Sequence, residues 1–100
     1  MSIEQLFTQL LNHFLSQKEV KKQGNSLKYK KKMFLMLNNE RFIVKLPAER
    51  VAALIESGEG LPYDAGTGKQ LKEWLIISRI DLESWIKFGE EAKAFAQTLS

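Results

Sequence analysis

The sequence predicts a two-layer α+β domain. Helices pack mainly on one face of an antiparallel β-sheet, in the order α-β-β-β-α-β-α, over residues 1–100 as a single domain. Three observations lead there. Apolar stripes of helical period open and close the chain. Apolar runs of strand length fill the middle. Turn residues separate those runs closely enough for hairpins rather than helical crossovers.

Each element has its own reason. Ile3, Leu6, Phe7, Leu10, Leu11, Phe14 and Leu15 recur at i, i+3, i+4 spacing, one stripe of a first helix that fades near Gln17. Ser2 with Gln5 three residues on reads as a capping box. "QGNS" (23–26) is turn chemistry, and a further short strand at Val20–Lys22 fits before it. Leu27 and Tyr29 alternate with Lys28 and Lys30 as in a half-exposed strand. Met33 to Leu37 is apolar on both faces, which predicts a covered strand at or near the sheet centre. The bend before it falls on lysines, which are poor turn residues. "NNE" (38–40) turns the chain into a strand in which Phe42, Val44 and Leu46 alternate with Arg41, Ile43 and Lys45.

Pro47 suits the first position of a short helix that buries Val51, Leu54 and Ile55, and Gly58 suits its C′ stop. "YDAGTGKQ" (63–70) reads as a loop, and Trp74 to Ile77 as a short strand. Asp81 caps the last helix, whose inward side is Leu82, Trp85, Ile86, Ala92, Phe95, Ala96 and Leu99.

Composition excludes several classes. The 44% apolar and 27% charged content is that of a soluble globular domain, and the longest apolar run is five residues, too short to span a membrane. The N-terminus carries an acid and no basic leader, so no secretory signal is expected. With no cysteine there are no disulfides and no thiolate chemistry, which suits a cytoplasmic protein. His13 is the sole histidine and reads as a surface residue, so no metal is expected. "DAGTGKQ" lacks the first glycine and the hydroxyl of a P-loop: Tyr63 and Gln70 stand in those places. Glu90 and Glu91 are adjacent on a helix and point apart, and no other carboxylate pair suggests acid/base chemistry. The reading is non-enzymatic, without catalytic residues or cofactor.

The net charge of +3 is unevenly distributed. Residues 18–45 hold nine basic and two acidic residues, whereas residues 46–100 hold six basic and nine acidic ones. Lys21, Lys22, Lys28, Lys30, Lys31 and Lys32 cluster around Tyr29. Two accounts of these lysines stand. They wet the outside of a sheet, guard its edge and flank an aggregation-prone strand. Or they meet phosphate oxygens of DNA or another polyanion, with Tyr29, which shares a face with Leu27 and reads first as core, offering a ring to stack on bases. Lysine contacts are point charges, so such binding would be mostly independent of sequence. Trp74 and Trp85 read as core. The alternative function is a protein-interaction module, a homodimer through an uncovered sheet face or edge, with no nucleic-acid role. A third is a small-molecule site near Tyr63, Asp64, Lys69 and Lys72.

The run from Leu27 to the C-terminus resembles a family of small bacterial domains, the MmcQ/YjbR-like proteins and the related N-terminal domain of TfoX/Sxy-type competence regulators. The likeness rests on "KKMFLML" (31–37), "RFIVKLPAERVAALIESGEGLPYDAGTGKQLKEWLII" (41–77) and "LESWIKFGEEAKAFA" (82–96). It implies an α+β domain with an antiparallel sheet, sometimes called a double wing and likened to DNA-binding modules. It implies no catalytic residues. Where relatives tend to have glycine before Lys-Met-Phe, this chain has Lys31, which adds charge at a turn. The resemblance is to the N-terminal domain alone, so neither a second TfoX-type domain nor a complete competence regulator is expected.

Overall fold

The computed structural model describes residues 2–64, 66, 68 and 71–99. In chain order it contains α1 (Ile3–Leu15), β1 (Val20–Gln23), β2 (Ser26–Tyr29), β3 (Lys32–Asn38), β4 (Arg41–Lys45), α2 (Ala48–Glu56), β5 (Gly60–Pro62), β6 (Trp74–Ile77) and α3 (Leu82–Leu99). The strands form one six-stranded sheet in the order β1-β2-β3-β4-β6-β5, with every neighbouring pair antiparallel. The α+β, two-layer architecture is as the sequence predicts. The sheet has two more strands than the basic pattern: β1, which the sequence allowed, and β5, which its three residues around Pro62 concealed.

The main core lies between the sheet and the helices. Leu6, Phe7, Leu10 and Phe14 of α1 and Trp85, Phe88, Ala92 and Ala96 of α3 meet Leu27, Leu35, Phe42, Val44 and Leu75 of the sheet, and Val51 and Leu54 of α2 join them. Ser2 and Gln5 do form the capping box of α1: the Gln5 amide donates to Ser2 Oγ at 3.1 Å, and the Ser2 amide to Gln5 Oε1 at 3.0 Å. Asp81 caps α3, accepting from the Ser84 amide at 2.7 Å. Gly58 ends α2 with φ +83°.

β3 explains its own composition differently from a strand covered on both faces. Its register against β2 shifts between Leu27 and Lys28, because Leu27 opposes Leu35 while Lys28 opposes Met33. Phe34 is the extra residue of a β-bulge, which turns Phe34 and Leu35 both into the main core. Met33, Met36 and Leu37 stay partly exposed.

The opposite face has no helix but is not bare. Ile43 of β4 and Ile76 of β6 are buried there beneath Tyr63, with Met36, Leu71 and Trp74 packed around them. Residues 63 and 71–73 are tied together beside this face: the Leu71 amide donates to the Tyr63 carbonyl at 2.8 Å, and the Leu46 amide to the Glu73 carbonyl at 2.9 Å. Trp74 is therefore only partly buried, at the border of this second cluster. Trp85 is core, stacked on Phe42 with ring centroids 4.5 Å apart. Leu99, expected to face inward, is exposed at the last residue of α3. Phe88, absent from the predicted stripe, is buried.

Candidate nucleic-acid interface

The site is built on β1, β2 and β3. Directly opposed residues of an antiparallel pair share a face. Leu27 and Tyr29 face the helices, so Lys28 faces away from them. Lys21 is its direct partner on β1, which places two ammonium groups side by side on the helix-free face. Lys22 opposes Leu27 and so lies on the helix side of the edge strand. Lys30 and Lys31 form the turn between β2 and β3, and Lys32 opposes Tyr29 as β3 begins. The predicted lysines thus wrap the edge, outer face and tip of one three-stranded wing. They do not form a flat patch.

The bend at these lysines is made at a backbone cost. Lys30 has φ +56°, a left-handed value that favours glycine. Gly24 supplies the same conformation (φ +58°) in the β1–β2 turn without strain. The Lys30 ammonium lies 5.7 Å from the centre of the Tyr29 ring. Tyr29 itself is half-buried and packs against the main core, so only part of its ring could meet a base.

Acids are kept off the sheet. None of the six strands contains Asp or Glu, whereas they carry Lys21, Lys22, Lys28, Lys32, Arg41 and Lys45. Among the described residues, ion pairs join His13 to Glu90 and Arg50 to Glu91, between helices, and none reaches the six predicted lysines. Arg41 and Lys45 extend the positive charge along the helix-free face. They lie 5.7 Å from the Tyr63 ring and 5.8 Å from the Trp74 ring respectively. Arg41 was missed as a site residue because strand alternation alone gives it only a surface position. Its burial depends on Tyr63, which is distant in sequence and adjacent only in the fold.

Other polar groups serve the frame. His13 Nε2 lies 2.9 Å from Glu90 Oε2, and Gln17 Nε2 donates to the same oxygen at 3.0 Å. Lys93 completes the cluster through Gln17 Oε1. Partial burial works to raise the Glu90 carboxyl, but the bonds from His13 and Gln17, with the charges of His13 and Lys93, outweigh it and hold it below its usual 4.5. His13 is thus a helix–helix link rather than an isolated surface residue. Among the described residues no group of three or more His, Asp or Glu side chains could hold a metal ion. No described helix is long and apolar enough to cross a membrane.

The third sequence reading divides in space. Tyr63 and Asp64 line a cleft of about 360 Å³ with Asn38, Asn39, Arg41 and Gly66. Lys72 lines a separate one of about 460 Å³ beside Trp74. Lys69, and Gln70 of the P-loop comparison, lie outside the described residues.

Fold and site together define a two-layer α+β protein whose antiparallel sheet is cationic and free of acids. Comparison with protein-family models, with curated proteins and with solved structures finds no match.

Proposed function

We propose that this chain is a non-enzymatic, MmcQ/YjbR-like (TfoX N-terminal-like) double-wing domain that works in the cytoplasm. It binds nucleic acid through backbone phosphates, using the β1–β2–β3 wing. One observation carries the reading: Lys21 stands directly opposite Lys28 with no carboxylate partner among the described residues. Like charges directly opposed on a sheet are unfavourable, and a line of phosphates relieves that repulsion. The wrap of Lys22, Lys30, Lys31 and Lys32 around the same wing suits entry into a groove better than contact with a flat surface. Ammonium groups read little of the bases, so binding is largely independent of sequence.

Fluorescence anisotropy with a duplex and a single-stranded oligonucleotide tests this. If four lysines meet duplex phosphates, log K falls against log salt with a slope of about −3.6. Changing Lys21 and Lys28 to Gln then makes the slope shallower by about 0.9 for each phosphate no longer neutralised. No binding at low salt, or binding indifferent to these changes, overturns the reading.

A second reading, self-association, draws on Leu61, which is 55% exposed on edge strand β5. Light scattering decides it: a monomer mass that does not change with concentration ends it.

A further inference from the structure

The cleft at Arg41 has a construction that phosphate binding on the β1–β2–β3 wing leaves unexplained. Two hollows, of about 360 and 410 Å³, adjoin on either side of Arg41 and Asp64, which line both. These volumes fall in the lower part of the range of small-ligand sites, roughly 300–1,000 Å³. Arg41 Nε is buried and has no hydrogen-bond partner among the described residues. A buried guanidinium N–H without a partner is uncommon, because its lost hydration is not replaced. The guanidinium is packed 5.7 Å from the Tyr63 ring, which limits its freedom to turn toward solvent.

The neighbouring polar groups are arranged around the same space. Asn38 Nδ2 donates to the Tyr63 hydroxyl at 3.2 Å, which leaves the tyrosine O–H free to donate in turn. Asn39 lies in the left-handed turn between β3 and β4 (φ +53°) and lines the cleft beside it. Asp64 Oδ1 accepts the Gly66 amide at 2.7 Å, which orients that exposed carboxylate where it lines the same space. Arg41 and Asp64 face one hollow, yet among the described residues they form no ion pair. A cation and an anion held apart across a cleft match a ligand that carries both charges. A phosphate would gain from Arg41 but be repelled by Asp64.

We propose that this cleft binds a small zwitterion of the α-amino acid class. Its carboxylate takes the fork of Arg41, with the Tyr63 hydroxyl as a further donor, and its ammonium faces Asp64. The site uses Arg41, which extends the positive face, but none of the six wing lysines, so the Lys21 and Lys28 variants and the Asp64 variant test the two readings separately.

Amide-resolved NMR titration of the ¹⁵N-labelled chain tests it, with each standard amino acid in turn and with acetate, methylamine and inorganic phosphate as controls. At least one amino acid is expected to give saturable shifts at Asn38, Asn39, Arg41, Tyr63 and Asp64. It binds about tenfold or more tightly than any control. Arg41→Gln and Asp64→Asn each weaken it by about tenfold. Because Arg41 is packed on Tyr63, Asp64→Asn is the variant that reads the site if Arg41→Gln fails to fold. Phosphate or acetate binding as tightly as the best amino acid, Asp64→Asn leaving affinity unchanged, or the absence of saturable shifts overturns the proposal.

Discussion

The Lys30 amide donates to the Glu19 carbonyl at 2.9 Å, and both residues hold left-handed backbone, with φ of +56° and +70°. Two strained non-glycine residues thus close the end of the lysine wing. Lys30→Gly should relieve about 1–2 kcal/mol of backbone strain. The added freedom of the unfolded chain returns about 0.4–1 kcal/mol. A net gain of roughly 0.5–1 kcal/mol is expected in urea unfolding, together with weaker oligonucleotide binding. A variant that is less stable would show that the turn is not strained at Lys30.

α1 and α3 approach each other through Gly89. A Cβ there would lie 2.7 Å from Cζ of Phe14 and 3.3 Å from a methyl of Leu35. The Phe14 ring is fully buried and edge-on to Phe34 at 5.7 Å, so it has little room to yield. Gly89→Ala gains about 1 kcal/mol of helix propensity. Overpacking costs about 1–3 kcal/mol. Net destabilisation of about 1 kcal/mol is expected, and Phe14→Leu in the same chain should recover part of it, a non-additivity that a double-mutant cycle measures.

The α3 cap is worth a similar amount. Asp81 accepts from the Ser84 amide at 2.7 Å and from its hydroxyl at 3.0 Å. These two bonds hold its carboxyl below the usual 3.8. Asp81→Ala should cost about 1 kcal/mol in thermal or urea unfolding. Asp81→Asn or Asp81→Ser should retain most of the stability.

The Glu90 cluster sets an acid dependence. Its folded carboxyl titrates below its unfolded value of about 4.5. The stabilisation is therefore present above the unfolded value and is lost as pH falls through the folded one. Urea midpoints measured from pH 6 down to pH 3 should fall more steeply for the wild type than for Glu90→Gln. Parallel curves would remove Glu90 from the account. The effect should be small, because both partners are more than a third exposed.

Much of this fold is written in local pattern. The α1 stripe as far as Phe14 and its Ser2–Gln5 box, the Gly58 stop and the Asp81 cap each depend on residues within four positions of one another and form as the pattern predicts, whereas Leu15, expected on the stripe, is exposed. Strand alternation likewise places Phe42 and Val44 inside. The lysine cluster was visible as charge, and the excess of nine basic over two acidic residues in 18–45 gave its sign.

What alternation could not decide is where long-range pairing breaks its own rule. The bulge at Phe34 and Leu35 exists only because β3 must satisfy β2 on one side and β4 on the other, and it moved two consecutive residues into one core. The burial of Ile43 and the enclosure of Arg41 both follow from Tyr63 folding over the helix-free face, a contact between segments distant in sequence, and Trp74 is half-buried at the border of that cluster. Local pattern set the three helices, the caps of α1 and α3, the stop of α2 and the sign of the charge on the wing, because these are properties of neighbours along the chain; Pro47, read as the first residue of α2, is instead its N-cap, and the helix begins at Ala48. Only the tertiary structure decided that Lys21 meets Lys28, and that Arg41 meets a cleft, because a side chain's partners across a sheet are set by register and by what lies over it.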